Sequence, residues 1–282
     1  MAQGGYVADD IVVGDPFKAG TTWTQRILQQ ILSNGEEHET SLSDTSPWLD
    51  CSWGNHPEML EVLKQQREAG KRRVIKSHVP ADAVPIAPEA KYVFVARNGK
   101  DQVISLHNYL RNFSASAMDN INSIYTAWSG DSTPLEVPED LQEFVELWLD
   151  TDGYKCCDTF DIVASWWKFK DQPNFLVLHY NNLKKDLLGQ IPRIAEFLSI
   201  DPATLRVDKI AEHCSFEYMK GRADKMAPFR GEHLASAESF FLKGPKRDFR
   251  TELSPELIAR YDRKAVEKLG EQCAEWMETG SY

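Results

Sequence analysis

The sequence of 282 residues is low in cysteine and in positive charge, and it has no long apolar run. Its five cysteines lie at positions 51, 156, 157, 214 and 273 and show no C-x-x-C spacing. This pattern disfavours both a disulfide framework and a zinc site, and it indicates reduced, intracellular thiols. A net charge of −11 disfavours general binding to nucleic acid or to anionic membranes. Any anion site must therefore be local.

Targeting and membrane-spanning signals are also missing. The first residues contain neither a basic region nor an apolar signal segment, and no apolar run approaches the length of a membrane span. We therefore expect a cytoplasmic protein whose partners include neither a membrane nor nucleic acid.

Short apolar runs alternate with amphipathic segments along the chain. Strands are predicted at residues 10–13, 73–80, 92–96 and 175–180, and helices after the first loop, at 57–70, from 101, and at 141–149, 160–170 and 191–198. Such alternation predicts an α/β fold with a central parallel sheet flanked by helices, as a single domain over residues 1–282. Residues 112–140 are small and polar, which is typical of a mobile cover over a pocket or of a plain surface loop. Trp48 and Trp53, in a polar stretch, either line a pocket or cap the core.

The loop after the first predicted strand has the features of an anion site. Gly20 lets the backbone approach a ligand, and the N–H groups of Gly20, Thr21 and Thr22 are expected at a helix N-terminus. Lys18 and the two threonine hydroxyls add one charge and two donors, which favours a phosphate or sulfate over a carboxylate. The spacing differs from the P-loop pattern G-x-x-x-x-G-K-[ST], because the lysine precedes the second glycine. An ordinary helix start is the alternative.

Several polar residues lie near the carboxyl ends of the predicted strands, where ligands of parallel sheets bind. This set comprises Lys18, Lys76, His78, Arg97 and Tyr180. We expect them to share one crevice.

Three stretches resemble motifs of the cytosolic-type sulfotransferases. Residues 18–23, K-A-G-T-T-W, resemble the P-K-S-G-T-T-W loop of that family, although Phe17 and Ala19 differ from it. Residues 76–80, K-S-H-V-P, resemble K-T-H-L-P, whose histidine is the general base. Residues 97–105 resemble the R-[ND]-x-x-D-x-x-x-S segment that holds a 3′-phosphate. The resemblance implies a P-loop-like phosphosulfate-binding loop for 3′-phosphoadenosine-5′-phosphosulfate (PAPS), the product adenosine 3′,5′-bisphosphate (PAP), and no metal.

The resemblance also assigns roles to individual residues. The implied catalytic residues are His78, Lys18 and Lys76. An imidazole that titrates near neutral pH can take the acceptor's proton, and the two lysines can neutralise charge that builds on the sulfuryl group. The implied cofactor-binding residues are Lys18, Ala19, Gly20, Thr21, Thr22, Trp23, Arg97, Ser105, Tyr180, Ser215, Phe216, Met219, Leu242, Lys243 and Gly244. The remaining histidines that we considered, at positions 38, 56, 179, 213 and 233, are interpreted as surface or core residues.

Two departures from the family pattern bear on binding and assembly. Leu242 stands where the family has an arginine that grips the 3′-phosphate, so that Lys246 or Arg247 would have to substitute for it. Residues 251–255 lack the dimer motif of animal members, which leaves a monomer and a homodimer both open.

The sequence thus predicts a PAPS-dependent sulfotransferase that acts on a hydroxyl or amine of a small aromatic or hydrophobic acceptor. Two alternatives remain: a nucleotide-binding protein without transferase activity, and an ATP-using P-loop kinase. A kinase of this kind would require a metal-binding aspartate at the end of the strand where Arg97 stands.

Overall fold

Four parallel strands form the centre of the protein. The computed structural model describes residues 8–52, 56–154, 158–241 and 248–281. The strands are β1 (Ile11–Gly14), β2 (Val74–Ser77), β3 (Lys91–Ala96) and β4 (Phe175–His179), in the order β2-β1-β3-β4. Almost every strand residue is buried, as the apolar runs predicted for strands covered on both faces. The predicted fold class, an α/β fold with a parallel sheet flanked by helices, is confirmed.

Helices of varied length connect and cover the strands. In chain order they are α1 (Thr21–Leu32), α2 (Leu42–Thr45), α3 (His56–Glu68), α4 (Gly99–Arg111), α5 (Ala115–Ser129), α6 (Leu141–Asp150), α7 (Thr159–Trp167), α8 (Tyr180–Lys185), α9 (Leu187–Phe197), α10 (Val207–His213), α11 (Phe216–Lys220), α12 (Ala223–Met226), α13 (Phe249–Glu252), α14 (Pro255–Leu269) and α15 (Glu271–Thr279). Short 3₁₀ turns lie at Ala81–Ala83, Pro202–Thr204, Pro228–Gly231 and Ala237–Phe240. No helix of the described ranges is both long and apolar enough to cross a bilayer.

Alternate residues of β1, β3 and β4 pack in two different hydrophobic cores. Val13 of β1 packs with α1, α9 and α10, whereas its neighbour Val12 packs with α7 and α15 on the opposite face. This follows from the period of two in a strand, which sends successive side chains to opposite faces. Both faces of the sheet are therefore closed, and its carboxyl edge is the place left for a ligand.

The segment at residues 112–140 differs from its prediction. Neither a cover loop nor a surface loop forms over most of it, because residues Ala115–Ser129 make helix α5. Ser114 caps this helix by accepting from the N–H of Ala117, and Gly130 ends it with φ at 73°. The apolar positions Met118, Ile121 and their neighbours pack on the α4–α6 core, so tertiary contacts stabilise a polar segment as a helix.

Strand and helix ends also differ slightly from the sequence prediction. β2 ends at Ser77, earlier than the predicted residue 80, so that Lys76 lies near its carboxyl end and His78 follows the strand directly. Tyr180 was assigned to the fourth strand, but it begins α8. Asn98 caps α4, since its side chain accepts from the N–H groups of Lys100 and Asp101. The single domain over residues 1–282 stays a prediction.

Candidate active site

The turn between β1 and α1 is built from unusual backbone conformations. Lys18 has φ at 67° and Gly20 has φ at 119°, both in the left-handed region. A Cβ atom at Gly20 would lie 2.9 Å from Cδ2 of Tyr180. Only glycine meets both conditions, because it lacks a Cβ and tolerates positive φ. The turn therefore brings the backbone against Tyr180, the residue that directly follows β4.

Free N–H groups line the start of α1. Within the described ranges, no hydrogen bond involves the backbone N–H of Thr21, Thr22 or Trp23 as donor. Such groups at a helix N-terminus favour an anion. The hydroxyl of Thr21 is not free, since it donates to Oδ2 of Asp15 at 2.5 Å. Of the two hydroxyl donors that the sequence predicted for a ligand, one is thus committed to the protein itself.

Arg97 lies beside this turn at the carboxyl end of β3. Its guanidinium sits 4.7 Å from the centre of the Tyr180 ring, and Trp23 meets the same ring edge-on at 5.4 Å. The Nε atom of Arg97 is buried and, among the described residues, has no hydrogen-bond partner. Its nearest carboxylate, Asp101, is 4.0 Å away. A buried cationic donor without a partner is costly unless a ligand satisfies it, so Arg97 fits a phosphate.

The other predicted cofactor-binding residues are placed more variously. Ser105 is partly buried on α4, and Met219 is buried beside Trp23. Ser215 caps α11 by accepting from the N–H of Tyr218, which gives it a structural role as well. Phe216 is 43% exposed. Leu242, Lys243 and Gly244 lie outside the described residues, as does Trp53.

Two lysines stand next to one another at this edge of the sheet. Nζ of Lys18 lies 4.0 Å from the ring centre of Tyr109 and 4.2 Å from that of Phe240, and Nζ of Lys76 lies 4.3 Å from the ring of Trp48. Burial, aided by the positive charges of Lys76 and Arg97, lowers the pKa of Lys18 to about 7, although Asp15 opposes the effect. Burial also lowers the pKa of Lys76. An anion bound between the two amines would stabilise their charged forms and raise both pKa values.

His78 is held between the turn and a group of contacting rings, here called the aromatic wall. The wall consists of Trp48, Tyr109, Phe229, His233 and Phe240. Its Nδ1 lies 2.9 Å from the carbonyl oxygen of Asp15 and 2.8 Å from Oδ1 of the same residue. Phe17 stacks on the imidazole at 4.2 Å, and Trp48 meets its edge at 4.8 Å. The structure therefore joins His78 to the turn that carries Lys18, and Lys18 in turn is electrostatically coupled to Lys76 and Arg97. Lys18, Lys76, His78 and Arg97 thus lie near one another, as expected of residues that share one crevice.

Two residues of this wall, Tyr109 and His233, were not among the predicted site residues. Tyr109 and His233 share a hydrogen bond of 2.6 Å between the phenol oxygen and Nε2. Burial, followed by the charges of Lys76 and Lys18, lowers the pKa of His233 to about 4, so this imidazole is neutral at pH 7. His233 was interpreted as a surface or core residue; it is buried, but beside the two lysines. No local motif surrounds it, and only its tertiary contacts reveal its position.

A cavity of about 420 Å³ opens on the Lys76 side of the wall. Its size is typical of small-molecule sites. Lys76 and Thr22 line it, which places it in contact with β2 and α1. Its apolar lining is Leu42, Pro47, Trp48, Met59, Val62, Met226, Pro228 and Phe229. The anion-binding turn lies on one side of His78, and on the other side Trp48 joins the imidazole to a cavity whose lining mixes apolar residues with Asp44, Glu58, Arg230 and Glu232. In the described part of the chain, no group of His, Cys, Asp or Glu is placed to hold a metal ion.

Comparisons with known proteins agree with this architecture. The profile of the family "Sulfotransferase domain" matches residues 8–272. Sulfotransferase 1E1 of Bos taurus is 26% identical over 262 residues, which cover 90% of this chain and 81% of that protein. A glycolipid sulfotransferase of Mycobacterium bovis is 25% identical over 261 residues, covering 85% of this chain and 79% of that protein.

Solved structures show the same fold. Mouse sulfotransferase SULT7A1, complexed with PAP, superimposes with a TM-score of 0.68 at 24% identity and covers 97% of this chain and 90% of its own. A retinol dehydratase, in complex with retinol and PAP, gives a TM-score of 0.71 at 21% identity and covers 95% of this chain and 83% of its own. Since the family profile spans far more than half of the sequence, this chain belongs to the sulfotransferase family.

Proposed function

We propose that this sulfotransferase uses PAPS as its donor and transfers the sulfuryl group to a hydroxyl or amine of a small aromatic or hydrophobic acceptor. The observation that carries the proposal is the position of His78. Its ring contacts Phe17 of the donor turn on one face and Trp48 of the cavity at its edge. A base in this position can serve an acceptor in the cavity while the donor occupies the turn.

The residues around the turn fit a bisphosphorylated nucleotide. The free N–H groups of α1 and Lys18 would hold the phosphosulfate, and Arg97 and Ser105 would hold the 3′-phosphate. Trp23 offers the purine a flat face. Two solved structures with this fold contain PAP, which supports the same nucleotide here. Residues 242–244 complete the proposed set from outside the described residues.

When bound, PAPS supplies an activated sulfuryl group whose bond to the bridging oxygen breaks, with PAP as the leaving product. Lys18 and Lys76 contribute positive charge where negative charge develops on the transferring group. Both amines are paired with aromatic rings here instead of carboxylates, so they can turn to an anion without breaking a salt bridge. The protein needs no covalent step, because positioning and electrostatics suffice for transfer of this kind.

His78 takes the proton of the acceptor. Its Nδ1 is occupied by Asp15, so Nε2 is the atom left to accept that proton. The aromatic wall and the apolar part of the cavity lining favour an acceptor with a planar or hydrophobic body, since contact with Trp48, Met59 and Phe229 stabilises such a body.

The proposal is tested with radiolabelled PAPS and a panel of phenols, aliphatic alcohols and aromatic amines. We expect a labelled product with at least one of them. His78→Ala should lower kcat roughly 10²–10⁴-fold, since that is the usual contribution of a general base. The Kd for PAP, measured by calorimetry, should change by less than about threefold, because binding rests on other groups. His107→Ala is the matched control, because His107 is equally buried and its Nε2 lies 2.8 Å from the carbonyl of Pro138, away from the turn.

Other results would select the alternatives. Tight PAP binding with no product from any acceptor would indicate a nucleotide-binding protein without transferase activity. Magnesium-dependent binding of ATP together with indifference to PAP would indicate a kinase. Equal loss of activity in the His78 and His107 variants would contradict the role of His78 as base.

A further inference from the structure

Asp15 is a buried carboxylate at the junction of the donor turn and the candidate base. It follows β1 directly and is 0% exposed. Oδ2 accepts the Thr21 hydroxyl at 2.5 Å. Oδ1 is buried and, within the described ranges, accepts no hydrogen bond of good geometry, yet it lies 2.8 Å from Nδ1 of His78. A buried carboxylate oxygen is costly unless a positive or donor group faces it, and here the group that faces it is an imidazole.

The surroundings of Nδ1 determine the tautomer of His78. The two atoms closest to Nδ1 are the carbonyl oxygen of Asp15, at 2.9 Å, and its Oδ1. Both are acceptors, so Nδ1 must carry the proton: it donates to the carbonyl oxygen and faces Oδ1. Nε2 then holds the lone pair that a general base needs. Among the described residues none hydrogen-bonds to Nε2.

The ring is fixed in its plane as well as in its tautomer. Phe17 stacks on it with an interplanar angle of 21°, and Trp48 stands against its edge at 88°. Two acceptors on one nitrogen and two aromatic contacts leave the imidazole little freedom to flip. A flip would place Cδ2 against the carboxylate and Cε1 where Nε2 now lies, which would remove the lone pair from the acceptor side.

We infer that Asp15 is a positioning residue for His78: it holds the Nδ1–H tautomer and stabilises the imidazolium that forms when Nε2 takes a proton. The inference rests on the proposed function, in which His78 is the base. In that step the acceptor's proton moves to Nε2 and the ring charge changes from 0 to +1, opposite a carboxylate of charge −1. Because Oδ2 also accepts from Thr21 of α1, the same side chain anchors the base to the donor turn.

Other charged groups face the same place and must be considered. Lys18 and Lys76 both interact with Asp15, which partly offsets the lowering of their pKa values. Asp50 accepts from the backbone N–H of His78 at 3.2 Å and from the Ser77 hydroxyl at 2.5 Å, but no contact joins it to the imidazole. Asp50 is therefore a carboxylate close to His78 that does not touch the ring, which makes Asp50→Asn a matched control.

The tautomer is tested first, without turnover. In protein labelled with ¹⁵N-histidine, the His78 signals, assigned by their loss in His78→Ala, should show a protonated Nδ1 and an unprotonated Nε2 in the wild type. Asp15→Ala should give a mixture of tautomers, because only the carbonyl oxygen remains to hold the proton. A wild-type spectrum with the proton on Nε2 would overturn the inference.

Kinetics supply the second test. Asp15→Asn, which keeps the shape, and Asp15→Ala should each lower kcat roughly 10–100-fold, the usual effect of removing a group that orients a functional histidine. The Kd for PAP should stay within about threefold, and Asp50→Asn should lose at least tenfold less activity than either. The inference is wrong if both Asp15 variants keep kcat within twofold of the wild type while His78→Ala is inactive, or if their loss is fully explained by lost PAP binding. If His78→Ala itself keeps full turnover, it is the proposed base that fails.

Discussion

The donor half and the acceptor half of this site are built in different ways. The donor half consists of strand ends and backbone: the turn after β1, the first N–H groups of α1, and Arg97 and Tyr180 directly after β3 and β4. The acceptor half is a wall of rings from distant parts of the chain. Its members are Trp48, Tyr109, Phe229, His233 and Phe240.

The difference means that one half of the site can change while the other is kept. Backbone groups and strand ends are set by the sheet itself, so they change little when side chains change. Rings on loops and short helices can be replaced one by one without disturbing the sheet. Lys18 and His78 connect the two halves. Lys18 lies in the turn and contacts rings of the wall, and His78 contacts both Phe17 of the turn and Trp48 of the wall. The predictions below use this division.

Among the changes that test the division into two halves, the largest effect is expected at Arg97. Arg97→Ala should raise the Kd for PAP roughly 10–100-fold, because a charge-assisted hydrogen bond to a phosphate contributes about 1.5–3 kcal/mol. The kcat measured at saturating donor should fall much less, since Arg97 belongs to the donor half. Arg111→Ala is the control, because that arginine pairs with Glu139 at an exposed site. Unchanged PAP affinity in Arg97→Ala would contradict the division.

A smaller effect is expected from pH. Lys18 has a pKa of about 7 in the absence of a ligand, and a bound anion raises it. Below pH 7 the amine is already protonated, so PAP binding takes up only a small fraction of a proton. Above pH 7 PAP binding must take up a proton, and PAP affinity should fall by up to about tenfold per pH unit. Calorimetry at pH 8 in two buffers with different heats of ionisation should show uptake of most of one proton. Lys18→Arg should abolish this uptake, because arginine stays protonated. Absence of uptake in the wild type would contradict the prediction.

The smallest effect is expected at Tyr109. Tyr109→Phe removes the hydroxyl that bonds His233 but keeps the ring beneath Lys18. The acceptor KM should rise about 2–10-fold, in line with one lost hydrogen bond, and the Kd for PAP should stay constant. Tyr109→Ala also removes the ring, so it should change both values. If Tyr109→Phe weakens PAP binding as much as Tyr109→Ala does, the two halves are not separable at this residue.

Local patterns predicted the donor half well. The strand–turn–helix from Ile11 to Leu32 is confirmed, because a β-branched run, a glycine turn and an apolar helical face each carry their own signal. The same patterns failed at α5, where weak local signals are overridden by packing on α4 and α6. They also gave no sign of His233, which sits in a stretch with little regular structure.

By itself the sequence determined the parallel α/β sheet and the residues at its carboxyl edge, because the period of apolar residues and the position of glycine act over a few neighbours. Only the tertiary structure decided that Asp15 faces the imidazole of His78 and that the Thr21 hydroxyl donates to the same carboxylate. The contact between Tyr109 and His233 beside the lysines was also decided by the tertiary structure alone. These contacts join residues up to 124 positions apart. Their geometry follows from how loops and helices pack against one another, and no local pattern encodes it.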